Sequence, residues 1–266
     1  MPKSVPVVIP YFRAPDAIQV TLKHLESQRG VRAIPYVRDN SEDNILFTKA
    51  VNEGLKKFIS SDEYDYVLVL NQDALLHEEC LEQLLLAMEQ FPQAGICAPI
   101  ALSSNKSVNW AGSAAAFPWG QHVTYDLTRL PKSPFQTYWI NGACMLIRVR
   151  MIREIGLLDE NMKFICSDAD YSFTARANGW SCMVVPSAFV EHEPSGSGKN
   201  SNVSLSKVKL EDQLYYCHKW VGSELYRSLS LEGSQLSPDF IQGQINKTLS
   251  ELEICNRLIA EQGNEI

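Results

Sequence analysis

Asp65-Tyr66-Val67-Leu68-Val69-Leu70-Asn71-Gln72-Asp73 decides the reading of this chain, because a run of buried-strand residues stops abruptly at a polar triplet. A short, unbroken apolar run of this kind suits a strand covered on both faces. In open α/β sheets, ligands bind at the carboxyl ends of the strands. A carboxylate placed there offers hard oxygens to Mg²⁺ or Mn²⁺, and the strand beneath holds it more firmly than a loop would. Asp73 ahead of Leu75 and Leu76 also fits an ordinary helix cap. The triplet therefore gains functional weight only if other polar positions converge on it.

On the N-terminal side, Val5 to Ile9 is a short strand closed by Pro10, and Asp16 precedes Ile18, Leu22 and Leu25 at helical spacing. Ile34 to Arg38 reads as a second strand ending in the polar run Asp39-Asn40-Ser41-Glu42-Asp43-Asn44. Phe47, Ala50, Val51, Leu55 and Phe58 form the stripe of the next helix. After the quoted strand comes a helix carrying Leu81, Leu84, Leu85 and Met88. Strands alternating with helices of this length predict a parallel sheet covered on both faces.

Beyond Gly95 the pattern shortens, with Trp, Gly and Pro between apolar pieces as far as Tyr138, and predicts irregular or antiparallel structure. Trp139 to Ile147 reads as a buried strand, Met151 to Ile155 as a short helix, and Asp170 to Asn178 as another stopped by Gly179. Met183 to Val185 and Ala188 to Val190 read as two strands. Ser195 to Ser201 has linker composition, and Leu205 to Trp220 and Phe240 to Ile259 have helical spacing.

The 266 residues, 45% of them hydrophobic, suffice for one sizeable core with an appendage. A net charge of −7 lacks the basic excess of a nucleic-acid binder. Seven cysteines without a CxxC pair predict buried free thiols in a reducing compartment. No segment reaches the roughly eighteen consecutive apolar residues of a membrane helix, and the N-terminus leads straight into a strand. The expectation is a cytoplasmic protein, with peripheral attachment at the inner face of a membrane left open.

Polar clusters at Asp39-Asn40-Ser41, Asn71-Gln72-Asp73, Ser167-Asp168-Ala169-Asp170 and Glu191-His192 fall at predicted strand ends. Further elements are Val8-Ile9-Pro10-Tyr11-Phe12, Asn52-Glu53-Gly54, Asn141 to Arg148, Gly156-Leu157-Leu158-Asp159-Glu160, Arg176 and Gly179-Trp180. In this order and spacing, over residues 5 to 195, they resemble the inverting family-2 glycosyltransferases of the GT-A fold, in particular the bacterial rhamnosyltransferase-like branch.

The resemblance implies an α/β fold with a Rossmann-like, mainly parallel central sheet and helices on both faces. Residues 1–200 would form the glycosyltransferase domain and 201–266 a C-terminal helical extension. It further implies transfer of a hexose or deoxyhexose, rhamnose included, from a UDP- or dTDP-sugar to a saccharide acceptor, which in this branch can be lipid-linked. Polysaccharide assembly is the implied setting.

By the same resemblance, Asp73 and His192 would hold a divalent metal, with Asn71 in place of the first acid of a DxD pair. An imidazole ligand tilts the choice towards Mn²⁺ over Mg²⁺. Asp168 would be the base that takes the acceptor's proton, and Asp170 is the second choice. Ser167 and Asp170 also fit a capping box. Pro10, Tyr11, Phe12, Asp39, Asn40, Asn44, Asn71 and Asp73 would bind the nucleotide, and Asn52 is a further candidate. A carboxylate at Asp39 accepting from an imide N–H would favour uracil or thymine, although Asp39-Asn40-Ser41 also fits an Asx turn. Trp110, Trp119 and Trp139 suit sugar faces, and Trp139 with Asn141 and Gly142 would wall the acceptor pocket. Each tryptophan fits the core equally well. The His192 to Ser201 segment, with Lys199, reads either as a lid or as a connector.

The spacing of Leu236, Phe240, Ile245, Leu249, Leu252 and Ile259 suits packing on the catalytic domain or against a second copy as a homodimer. A sugar-nucleotide pyrophosphorylase would need a glycine-rich phosphate loop after the first strand, and Pro10 to Pro15 is not one. A non-catalytic carbohydrate-binding or scaffold protein on the same fold is the remaining alternative, since Asn71 and Ser167 both replace acids.

Overall fold

The computed structural model describes residues 3–60, 62–115, 121–122, 126–193, 202–220 and 238–263. Trp119, Lys199, Leu236 and the segment 194–201 lie outside them.

The first half alternates strand and helix: β1 (Lys3–Tyr11), α1 (Pro15–Glu26), β2 (Val31–Asp39), α2 (Leu46–Ile59) and β3 (Tyr66–Leu70). Pro15 opens α1, where a fixed φ suits the first helical turn and no N–H is lost from the ladder. Ile18, Thr21 and Leu25 form its buried stripe. All five residues of β3 are buried, which makes it a central strand. A Cβ on Gly54 would collide with Val8, so the close seat of α2 on β1 requires glycine.

Then follow β4 (Leu75–Leu76), α3 (Cys80–Gln90), β5 (Ala94–Leu102), β6 (Val108–Trp110), β7 (Ser113–Ala115), β8 (Gln121–His122), β9 (Phe135–Gln136) and β10 (Cys144–Arg148). The chain continues through α4 (Val149–Ile155), α5 (Ser167–Ala177), β11 (Ser181–Glu191), α6 (Val203–Trp220) and α7 (Pro238–Gly263). The main sheet runs β2-β1-β3-β10-β5-β11-β4. β1 is parallel to β2 and β3, and β5 is parallel to β11. β10 lies antiparallel between β3 and β5. β1, β2, β3, β5 and β11 therefore share one direction and deliver Tyr11, Asp39, Leu70, Leu102 and Glu191 to the same edge.

Three sequence expectations need correction. Ala94 to Leu102 is not irregular: it is a nine-residue strand, buried throughout, whose uninterrupted apolar character comes from helices and strands on every side. The strand predicted from Trp139 begins only at Cys144, because residues 141–143 form a turn closed by Cys144 N–H to Asn141 O. The two late strands are one, β11, with a pairing irregularity between Val185 and Phe189.

Two apolar clusters result. One fills both faces of the sheet. The other joins Tyr138, Trp139, Met162, Ala169 and Phe173 to Leu214, Tyr216, Cys217 and Trp220 of α6 and Ile245 of α7. The C-terminal helices thus share a core with α5, and each large side chain fully buried there contributes about 1.5–3 kcal/mol. All seven cysteines are free, and burial pushes the Cys182 thiol up to about 12, as suits a core side chain.

Candidate functional site

At the end of β3, Asn71 N–H donates to Ala143 O at 2.9 Å, and Ala74 N–H closes a turn on Asn71 O at 3.2 Å. Asp73 therefore lies in a turn. It caps no helix, since α3 begins only at Cys80. The turn aims Asp73 at the end of β11, where its Oδ1 is 3.4 Å from His192 Nε2. Asn71 Nδ2 is 3.3 Å from the same nitrogen. The Asp73 side chain is 33% exposed and that of His192 13%, so both are reachable from solvent. His192 is anchored through its backbone: its N–H donates to Leu102 O at 2.9 Å, and its carbonyl accepts from Asn109 Nδ2.

The ends of β1 and β2 meet beside this turn. Gln72 Oε1 accepts from Phe12 N–H at 2.7 Å, and its Nε2 donates to Phe12 O at 3.3 Å. Arg13, at φ 44°, donates through Nε and Nη2 to Ser41 O at 3.2 and 3.0 Å. Its guanidinium stands 5.1 Å from the centre of the Phe12 ring. Asn40 N–H donates to Tyr11 O at 2.8 Å, and Asn44 N–H, at φ 40°, donates to Asn40 O at 2.9 Å. Pro10, Tyr11, Phe12, Asp39, Asn40 and Asn44 thus form one continuous rim next to Asn71 and Asp73.

Asp39 does make the Asx turn, with Oδ1 accepting from Ser41 N–H at 2.8 Å. Hydrogen bonds from Ser41 hold its carboxyl below the usual carboxylate range and so keep it ionised. Asn40 is only 4% exposed, and its Oδ1 has no hydrogen-bond partner among the described residues.

Asp168, the second residue of α5, is held on both carboxylate oxygens. Gly142 N–H donates to Oδ2 at 2.8 Å and Ala169 N–H to Oδ1 at 2.8 Å. Ser172 Oγ donates to Asp168 O at 2.8 Å and accepts from Ile140 N–H at 3.0 Å. Asn141 Oδ1 accepts from Ala143 N–H at 2.9 Å, which shapes the same turn. One short turn, Asn141 to Ala143, thereby connects the strand that carries Asn71 and Asp73 to the helix that carries Asp168. A Cβ on Gly142 would stand 3.2 Å from Asp168 Oδ2, so a larger residue there would push the carboxylate by a few tenths of an ångström.

Other expected residues fall elsewhere. Ser167 does not cap α5: the cap position is Cys166, at φ 66°, and no side chain caps the helix there. Asp170 turns away from the site into the interior and is 1% exposed. Its Oδ1 accepts from Trp220 Nε1 at 2.7 Å and pairs with Lys219 Nζ at 2.8 Å. Asp170 organises α5 against α6 and cannot reach a substrate hydroxyl. Asn52 is buried, bonded to both N–H and C=O of Leu158, and joins α2 to the Gly156–Glu160 segment instead of lining the rim. Trp110 and Trp139 are 1% and 3% exposed, with ring centroids 6.4 Å apart, and belong to the core. Asn141 and Gly142 do lie beside Asp168.

Gln72 and Arg13 carry structural duties at the site, and Asp212 of α6 one behind it, on the loop that enters α5. Gln72 is visible in the sequence as the middle of the polar triplet. Asp212 gave no signal, because its partners are backbone amides.

The donor set at Asp73 and His192 fits a divalent cation: one carboxylate and one imidazole, close together and open to solvent. Such ions commonly take only one or two protein ligands and complete their shell with substrate phosphates and water. Among the described residues no group of three or more acidic, His or Cys side chains is gathered.

An edge of five co-directed strand ends with these groups defines a GT-A-like protein. Its fold is similar to a crystal structure of GalNAc-T7 with UDP, GalNAc and Mn²⁺, at TM-score 0.62 and 11% identity over 95% of this chain and 56% of that one. The model of the glycosyl transferase family group 2 matches residues 66–223, more than half of the sequence, and the chain belongs to that family. It is similar to the N-acetylglucosaminyl-diphospho-decaprenol L-rhamnosyltransferase of two Mycobacterium tuberculosis strains, CDC 1551 / Oshkosh and ATCC 25618 / H37Rv. In each case identity is 28% over 150 residues, 50% of this chain and 48% of the relative. The chain spans about half the length of these curated relatives. Among the described residues no helix is long and apolar enough to cross a membrane.

Proposed function

We propose that the protein is an inverting glycosyltransferase that moves a hexose or deoxyhexose from a UDP- or dTDP-sugar to a saccharide acceptor. The observation that supports this reading is the Asn141–Ala143 turn, which is bonded on one side to Asn71, next to the Asp73–His192 pair, and on the other to the Asp168 carboxylate. The L-rhamnosyltransferase relatives favour a deoxyhexose, and the acceptor in their name favours a lipid-linked diphospho-sugar. Residues 1–200 supply the transfer chemistry, and α6 and α7, within the 201–266 extension, pack against it as a support.

In this reading the uracil or thymine ring lies along Pro10, Tyr11 and Phe12, and the Asp39 carboxylate accepts from the imide N–H. Gln72 fixes the Phe12 backbone, so the base-binding rim and the metal-binding turn move as a unit. A divalent cation held by Asp73 and His192 would neutralise the charge growing on the leaving diphosphate. Asp168 accepts the proton of the attacking acceptor hydroxyl, on the face of the sugar opposite the leaving group. The two amides that hold its oxygens fix its direction, which makes proton transfer a matter of placement.

Calorimetric titration with UDP, dTDP, GDP and ADP, each with and without Mn²⁺, tests the site without an acceptor. Metal-dependent binding confined to the pyrimidine diphosphates is the expected result. Failure of all four would overturn the transferase site and favour a scaffold on this fold.

A further inference from the structure

We propose that Asp212 of α6, which lies outside the strand-end site, is a positioning residue for Asp168. The inference rests on the reading of Asp168 as the base. Three successive amides of the loop that enters α5 point at this one carboxylate. Lys163 N–H donates to Oδ1 at 2.9 Å, and Phe164 N–H and Ile165 N–H donate to Oδ2 at 2.7 and 2.9 Å. The next residue, Cys166, takes a left-handed φ of 66°, a conformation that costs a non-glycine residue roughly 1 kcal/mol or more and persists only where neighbours over-determine it. Asp168 follows two residues later. The direction in which its carboxylate leaves the helix is therefore set by a strained turn, and Asp212 is the group that holds that turn.

Asp212 is 1% exposed. An apolar side chain would fill such a position at lower desolvation cost, so a buried carboxylate is there for what it binds. From the other side, Thr48 N–H donates to Lys163 O at 3.0 Å. Two residues after Asp168, Lys219 and Trp220 fasten Asp170 to the same helix, α6. The base is thus braced from behind by α6 and fixed in front by Gly142, and α6 touches no group of the Asp73–His192 turn among the contacts described.

Asp212→Asn keeps the shape but turns an amide NH₂ towards backbone N–H donors. Its kcat for sugar transfer should fall by roughly 10²-fold, the loss expected when a reacting group is displaced by about 1 Å. Calorimetric affinity for the pyrimidine diphosphate with Mn²⁺ should stay within about twofold, since the diphosphate site is untouched; a general loosening of the fold would weaken binding as well. Asp212→Glu, which retains the charge, should recover part of the lost kcat, and it decides the question if Asp212→Asn does not fold. Asp168→Asn measured alongside separates the two ideas. An inactive Asp168→Asn beside a fully active Asp212→Asn overturns the positioning role alone, as does, where Asp212→Asn does not fold, an Asp212→Glu variant with undiminished kcat. A fully active Asp168→Asn overturns the base assignment and the inference with it. A parallel loss of kcat and diphosphate affinity in the Asp212 variants also overturns the inference, by making Asp212 merely structural.

Discussion

The strand-end rim of the first half and the α5–α6 seam of the second treat their carboxylates in opposite ways. Asp39, Asp43 and Asp73 stand in the open, tied by local turns, by Arg38 or by His192. Asp170 and Asp212 are buried and tied by an ion pair, an indole N–H and three backbone amides. Exposed groups bound to nearby backbone can exchange those bonds for a ligand at little cost. Buried ones cannot, because an unpaired carboxylate in the interior is expensive. In the proposed reading the rim takes up and releases a nucleotide, and the seam stays still behind the base.

The deepest break in that comparison is at the residue where the two regions meet. Asp168→Asn should lower transfer by roughly 10²- to 10⁴-fold, the usual worth of a general base, and leave diphosphate binding unchanged; a labelled-sugar assay beside calorimetry reads both. Next, Lys219→Met leaves Asp170 buried without its cation and should cost about 3 kcal/mol of stability, read as a fall in the urea midpoint. No loss would mean that the Trp220 bond alone satisfies Asp170. On the rim, Gln72→Ala frees Phe12 from the β3 turn and should weaken donor nucleotide binding by about 1 kcal/mol, roughly fivefold, the net worth of a hydrogen-bonded tie, with the urea midpoint nearly unchanged.

Acid should sharpen the contrast with the smallest effect. Asp39 and Asp43 have lowered pKa values, from Ser41 and Arg38 hydrogen bonds respectively, so the stability they add is present above about 4, the ordinary carboxylate value, and is lost as the pH falls below it. Asp170 and Asp212 are shifted upward, chiefly by burial. Their protonated forms are favoured in the fold, and whatever stability they lend is greatest at low pH and lost as the pH rises through the shifted values. Amide hydrogen exchange followed from pH 7 to pH 3, corrected for intrinsic rates, should show residues 39–44 losing protection before residues 163–170. The reverse order would contradict the comparison.

Most of the first half was legible because its signals are local. The alternation of strand and helix through residue 90 follows from apolar spacing, and the polar strand ends follow from abrupt changes in composition. Ala94 to Leu102 was misread because its glycine, proline and small residues suit a loop, and only burial on both faces makes them a strand. Asp170 shows the same limit at the level of one residue: its spacing from Ser167 suits a capping box, yet contacts fifty residues away, at Lys219 and Trp220, turn it inward.

The sequence by itself determined the family, the α/β class and the set of polar strand ends, because each depends on short-range pattern and on the order of motifs along the chain. Only the tertiary structure decided which of those polar groups face one another. It put Asp73 beside His192, Gln72 against Phe12, Gly142 on Asp168 and three loop amides on Asp212. Such pairings join segments far apart in sequence, and their partners are often backbone N–H and C=O groups that every residue carries, so no side-chain pattern announces them.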